Sequence, residues 1–183
     1  MGVKEKIDID VFKVVTRAIA ESDNIDVMTN HLIQLLVGVL EIKGGTIFAL
    51  NPETNELEIL ASLGLSINYL NKGPVFVNKS IGEELIAIKD ITKTDILQYP
   101  EDAQKEGIES IVSLPIKFYG ETIGSLRLYH YEVWELSDRD LDSLQLLAEN
   151  IGLAMMYTRH LNALQSIKET MKGLPLDFTL FSK

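Results

Sequence analysis

Ser113, Arg127 and His130 are the side chains best placed to do chemistry, because each lies within an otherwise apolar run. A hydroxyl, a guanidinium and an imidazole in such surroundings can anchor the polar group of a ligand, and an arginine can pair with a carboxylate or phosphate. The plainer account of Arg127, between Leu126 and Leu128, is a guanidinium that snorkels or bridges to one of the 27 acidic residues. His130 is a weak metal or haem ligand candidate. The chain has three histidines, none paired at helical ligand spacing, so neither a metal nor a haem cofactor is expected.

The carboxylate pairs Glu83-Glu84 and Glu101-Asp102 lie in polar segments without a neighbouring nucleophile or base. Acid–base catalysis needs carboxylates in contrasting environments, and nothing here creates that contrast. Gly44-Gly45 lacks the spacing of a phosphate-binding loop and reads as a helix stop. The absence of cysteine removes disulfides, thiolate metal sites and thiol nucleophiles. A formal net charge of -10 opposes a phosphate backbone, so no nucleic-acid partner is expected. No apolar run has the length of a membrane span, and MGVKEKIDID lacks the apolar centre of a secretory signal. The expectation is a cytoplasmic protein with no membrane partner.

These residues must be positioned by a mixed set of elements. Phe12, Val15 and Ile19 mark a helix over 7–21, and Met28, Leu32, Leu35, Leu36, Val39 and Leu40 a stronger one over 26–42. Thr46–Leu50 and Leu57–Ser62 read as a hairpin around Asn51-Pro52-Glu53-Thr54-Asn55. The segment 63–79 is irregular, with a short strand at Val75–Val77. Ile81–Leu85 reads as a helical turn, Ile86–Ile91 as a short strand, and Tyr99–Glu106 as a helix with Pro100 in its first turn.

Ile111–Phe118 and Thr122–Tyr131 read as two strands joined at Tyr119-Gly120. With Phe118 opposite Glu121, counting outward puts Ser113 and Pro115 on one face with Gly124, Leu126, Leu128 and His130. Val112, Leu114 and Ile116 then share the other face with Ile123, Ser125 and Arg127. Both faces are largely apolar, so both are expected to be covered.

The final helix has a clear start. Ser137 is a natural N-cap, Asp140 stands at the third helical position, and Leu136 and Leu141 have the spacing of a hydrophobic staple. Gly173 and Pro175 stop it, giving a helix over 138–172 of roughly 50 Å. Its first half should pack on the sheet. Leu161, Leu164, Ile167 and Met171 extend an apolar edge that one domain cannot easily cover.

The wording of the second hairpin resembles the C-terminal strands of GAF domains. Its pieces are Gly107-Ile108-Glu109-Ser110, Ser113-Leu114-Pro115-Ile116, Gly120, and Ile123-Gly124-Ser125-Leu126-Arg127-Leu128. Trp134-Glu135-Leu136-Ser137-Asp138-Arg139-Asp140 continues the pattern into a capped acidic helix. The element order is similar from about Phe12 to about Arg159. The resemblance implies an α+β fold, profilin-like and PAS-related, with a central antiparallel sheet and with N-terminal and long C-terminal helices packed on one face. It implies a domain over 7–159, preceded by an extension at 1–6 and followed by a projecting helix at 160–172 and a tail at 173–183.

The same resemblance implies a pocket between one sheet face and the irregular middle segment, lined by Phe48, Phe76, Asp90, Ile91, Tyr99, Ser113 and His130. A non-covalent small molecule of unknown identity is its expected occupant, with no other cofactor. For any one of these residues taken singly, filling the core with its polar atoms bonded internally is the plainer account. The implied function is non-catalytic sensing or regulation in signal transduction, with a homodimer through the terminal helices and a downstream signalling protein as partner. A ligand-free dimerisation scaffold is the alternative, and a related enzyme ranks third. The family's methionine sulfoxide reductases and covalent bilin modules both use cysteine, which this chain lacks. The Asn-Lys-Phe-Asp-Glu signature of cyclic-nucleotide-binding members is also missing, since Asn71-Lys72 and Asn78-Lys79 are not followed by it.

Overall fold

The computed structural model describes residues 7, 9–22, 24–76 and 84–172. Its elements are α1 (Ile9–Ala20), α2 (Ile25–Leu40), β1 (Gly44–Asn51), β2 (Glu56–Leu63), α3 (Ile67–Leu70), β3 (Ile86–Ile88), α4 (Pro100–Lys105), β4 (Ser110–Phe118), β5 (Glu121–His130) and α5 (Asp138–Lys172). A 3-10 turn lies at Ile91–Lys93. The strands form one antiparallel sheet in the order β2-β1-β5-β4-β3. The fold is α+β, as the element pattern predicts.

One sheet face is sealed by helices. Ile47, Ala61, Val112, Leu114, Ile116, Leu126 and Leu128 point to it and meet Leu32 and Leu36 of α2 and Leu144, Leu147 and Ile151 of α5. Burying these chains supplies most of the driving force, at about 1.5–3 kcal/mol for each large apolar side chain. α5 lies along β4, and Gly152 permits the approach: a Cβ there would stand 2.6 Å from the Lys117 carbonyl oxygen. Asn24 caps α2 by accepting from the amides of Asp26 and Val27.

Two expectations need correction here. Gly44-Gly45 is not a helix stop. α2 ends at Glu41, whose φ of 52° is left-handed, and Gly44 already belongs to β1. A Cβ on Gly44 would lie 2.5 Å from the Leu63 carbonyl oxygen, so close strand approach, not helix termination, requires the glycine.

The second correction concerns the hairpin faces. Phe118 does stand opposite Glu121, and Tyr119 and Gly120 both have positive φ, as a tight two-residue hairpin loop demands. The register then slips between Ile116 and Lys117: Lys117 pairs with Thr122 but Ile116 with Gly124. Ile123 is the extra residue of a β-bulge. One residue of slip exchanges the faces, so Ser113 lies opposite Arg127 and Pro115 opposite Ser125, while Gly124, Leu126 and Leu128 join the helix-covered face.

The middle segment is more structured than its composition suggests. Ser66 caps the short α3, and Asp90 caps the 3-10 turn. The strand at Ile86–Ile91 shortens to Ile86–Ile88, and the helix at Tyr99–Glu106 to Pro100–Lys105. The turn expected at Ile81–Leu85 and the end of the strand at Val77 fall largely outside the described residues.

Candidate functional site

The second sheet face carries Thr46 and Phe48 from β1, Ser125, Arg127 and Tyr129 from β5, and Ile111 and Ser113 from β4, by direct cross-strand pairing. The described residues cover it only in part. α3 and the residues after it lie over the β1–β5 side, while Leu97–Tyr99 lie over the β4–β3 side. Two adjoining spaces remain.

The outer cleft has a volume of about 390 Å³ and is bordered by Thr46, Phe48, Leu57, Ile59, Pro74 and Tyr129, with Glu56 and Glu58 on its β2 side. The inner cavity holds about 30 Å³ among Tyr69, Leu97, Tyr99, Ser113 and Arg127. Lys72, Val75 and Tyr129 border both spaces.

Arg127 is the unusual group. It is 9% exposed, and its Nε and Nη2 are buried without a hydrogen-bond partner among the described residues. Its guanidinium carbon lies 5.2 Å from the centre of the Phe48 ring, a cation–π contact that compensates part of the desolvation. Bridging to an acidic side chain, the plainer account from the sequence, does not occur among the described residues.

Lys72 is a second cation. Its ammonium donates to the Tyr69 carbonyl oxygen at 3.0 Å and stands 3.8 Å from the Tyr69 ring centre. Burial and then Arg127 push its pKa down to about 8. Among the described residues no carboxylate lines the inner cavity. Burial raises the phenols of Tyr69 and Tyr129 well above the usual range, with Arg127 opposing the shift in both, so both rings stay neutral. Tyr69 and Tyr129 meet edge to face with centres 5.9 Å apart.

The seven residues read as pocket lining divide. Phe48 borders the outer cleft, while Tyr99 and Ser113 border the inner cavity. The Tyr99 hydroxyl donates to the Pro74 carbonyl at 2.9 Å, and Ser113 Oγ lies 3.3 Å from Ser125 Oγ. Phe76 borders neither space. It is 40% exposed and bridges to Glu56 at the sheet edge. Asp90 turns to Thr92 and Lys93, whose hydrogen bonds, Lys93 first, pull its carboxyl down to about 2. Ile91 is buried in the cluster beneath α4, with Ala103 and Ile108.

His130 is the clearest departure. The bulge sends it away from Ser113, its ring stacks 5.3 Å from that of Trp134, and its Nδ1 accepts from the Glu132 amide at 3.0 Å. Reading outward from the turn missed Arg127, Tyr129, Lys72 and Tyr69 as lining residues. For β5 a usable signal exists: Ser125, Arg127 and Tyr129 alternate with the purely small or apolar Gly124, Leu126 and Leu128. Lys72 and Tyr69, on an irregular segment, carry no such pattern. Among the described residues no cluster of three His, Asp or Glu side chains could hold a metal ion.

With this geometry established, known proteins place the chain. Residues 22–156 match the model of the GAF domain family, and the chain belongs to that family. Among solved structures, the GAF domain of a phosphoenolpyruvate-protein phosphotransferase from Coxiella burnetii superposes with a TM-score of 0.72 at 16% identity, covering 85% of this chain and 96% of that one. A domain of a putative two-component sensor histidine kinase from Sinorhizobium meliloti 1021 gives 0.69 at 19%, covering 79% and 99%. The free methionine-R-sulfoxide reductase of Neisseria meningitidis, solved with its substrate, gives 0.66 at 11%, covering 87% and 98%. At these identities the likeness is one of fold. No curated protein matches the sequence.

Proposed function

We propose that this GAF domain is a non-catalytic sensory module that holds a small molecule over the second sheet face and reports its presence through α5. The observation that carries the reading is the contrast between the two faces. The helix-covered face is apolar and sealed. The other places buried Thr46 on the outer cleft and buried Ser113 and Arg127 on the inner cavity, the pattern of a ligand site with a few polar anchors. A ligand that draws the 66–75 and 97–99 segments onto the sheet favours one seating of α5 behind it, a shift between existing populations. Catalysis is not part of this function: the related reductase chemistry relies on cysteine, which is absent here. Among the described residues no helix is long and apolar enough to cross a membrane, and we assign the domain to the cytoplasm as part of the same proposal.

Native mass spectrometry of protein purified from cells tests the sensor reading. A stoichiometric small molecule that leaves on denaturation is the expected result. Protein that is empty, and that gains no thermal stability from any member of a metabolite library, sinks it.

A second reading, dimerisation, rests on one observation. Leu146, Leu153, Tyr157, Leu164, Ile167 and Met171 are all more than half exposed along α5, at successive spacings of seven, four, seven, three and four residues. That is the seam of a helix waiting for a like helix, and it runs past the last residue packed on the sheet. We propose a homodimer through this edge, able to pass the signal to a downstream protein. Sedimentation of the full chain against a version ending at Arg159 checks it. A dimer that dissociates on truncation is expected, and a full-length monomer at high micromolar concentration rules it out.

A further inference from the structure

The two unpartnered nitrogens of Arg127 are Nε and Nη2, which lie on the same edge of the guanidinium. Their N–H bonds point in parallel and match the two oxygens of a carboxylate. The side chain is nine-tenths buried and lines a cavity of about 30 Å³ that has no acidic residue among its described lining. A space this small suits a compact, flat head such as a carboxylate better than a bulkier tetrahedral phosphate. The second cation, Lys72, borders both this cavity and the outer cleft, so the two spaces adjoin at its side chain.

Resting on the ligand-binding reading above, we infer that the domain recognises a small monocarboxylate, its carboxylate held side-on by Arg127 Nε and Nη2 and its body lying past Lys72 in the outer cleft. A buried guanidinium with an empty edge is costly, and an incoming carboxylate satisfies both donors at once. Ser113, directly across the strand pair from Arg127, offers a hydroxyl to the same head. Phe48 holds the guanidinium plane, so the fork is formed before the ligand arrives.

The test follows the Nε–H resonance of Arg127 by NMR while probes are added. The probes are linear monocarboxylates from acetate to octanoate, their 2-oxo and 2-amino derivatives, and the uncharged amides and phosphate monoesters of matching length. Expected is a shift of the Arg127 Nε–H with at least one carboxylate, none with its amide, and an affinity about ten- to a hundredfold weaker in R127Q. R127K should lose nearly as much, because a point charge lacks the parallel pair. The wild-type resonance reports even where a variant folds poorly. Movement of cleft resonances with Nε–H unmoved, or amides or phosphate esters binding as well as carboxylates, overturns the inference and leaves a ligand site standing. Silence across the panel also overturns it, and protein that is empty by mass spectrometry as well removes the ligand reading with it.

Discussion

The backbone amide of Ile7 donates to Oδ1 of Asp140 at 3.0 Å, joining positions 133 residues apart. The other carboxylate oxygen, Oδ2, accepts from the Ser137 amide at 3.1 Å and from its hydroxyl at 2.7 Å, while Ser137 Oγ accepts from the Asp140 amide. Asp140 is thus both the N3 half of a capping box and the anchor of the chain's first described residue. D140A leaves the Ile7 amide, the Ser137 donors and the helix start unmet together. A loss of about 2–4 kcal/mol is expected by denaturant unfolding. D140N, which keeps one acceptor, should lose less.

G152A tests the seating of α5. The new methyl would lie 2.6 Å from a backbone oxygen of β4, which cannot move aside as a side-chain tip can. Helix propensity favours alanine by about 1 kcal/mol. The clash should outweigh it, giving net destabilisation of about 1–3 kcal/mol. A variant as stable as the parent would show that α5 shifts freely on the sheet.

Glu106 fastens the start of α3. Its carboxylate accepts from the Ser66 amide and hydroxyl and lies 3.7 Å from Lys43. Burial opposes its ionisation, but the Ser66 bonds and Lys43 together hold its pKa below the usual carboxylate range. A depressed pKa contributes stability above the ordinary value, and that contribution is lost as pH falls through the folded value. E106Q should therefore be less stable than the parent near neutrality, by about 1–3 kcal/mol, and the difference should shrink in acid. Parallel pH–stability curves would remove this role.

Lys72 should make binding of the inferred carboxylate pH-dependent. Tyr69 and Tyr99 face its ammonium, Arg127 repels it, and Asp102 and Glu106 oppose that repulsion from the α4 side. In the free protein its pKa is about 8. A carboxylate beside it raises that value, so binding takes up a proton in a window that opens near pH 8. Affinity should be level below this pH and fall above it, and K72M should abolish the slope. Calorimetry in buffers of different ionisation enthalpy measures the proton uptake directly.

The ends of the chain's regular elements could be read without coordinates where local chemistry marks them. Ser137 and Asp140 start α5 where the capping pattern places it, and Tyr119-Gly120 turn where the hairpin needs positive φ. The bulge carries no comparable mark, since Ile123 has no composition that announces an extra residue. Matching rows would have resolved the faces: Val112, Leu114 and Ile116 are continuous with Gly124, Leu126 and Leu128 as small or apolar residues. The cavity was less legible because half of it comes from the irregular segment around α3. There, the placement of Tyr69 and Lys72 depends on tertiary contacts with Glu106, Tyr129 and Tyr99. Phe48, Tyr99 and Ser113 were within reach because strand order and proline punctuation place them.

Strand β5 is a shared wall one chain thick. Arg127 faces the cavity, and its immediate neighbours Leu126 and Leu128 are fully buried on the helix side. The covalent backbone couples the two environments at a single peptide. A displacement of the Arg127 main chain is therefore also a displacement of two core leucines, in a close-packed layer that has little slack to absorb it. A shift of the cavity face has no long route to the helix face: the two are one peptide bond apart on either side of an arginine.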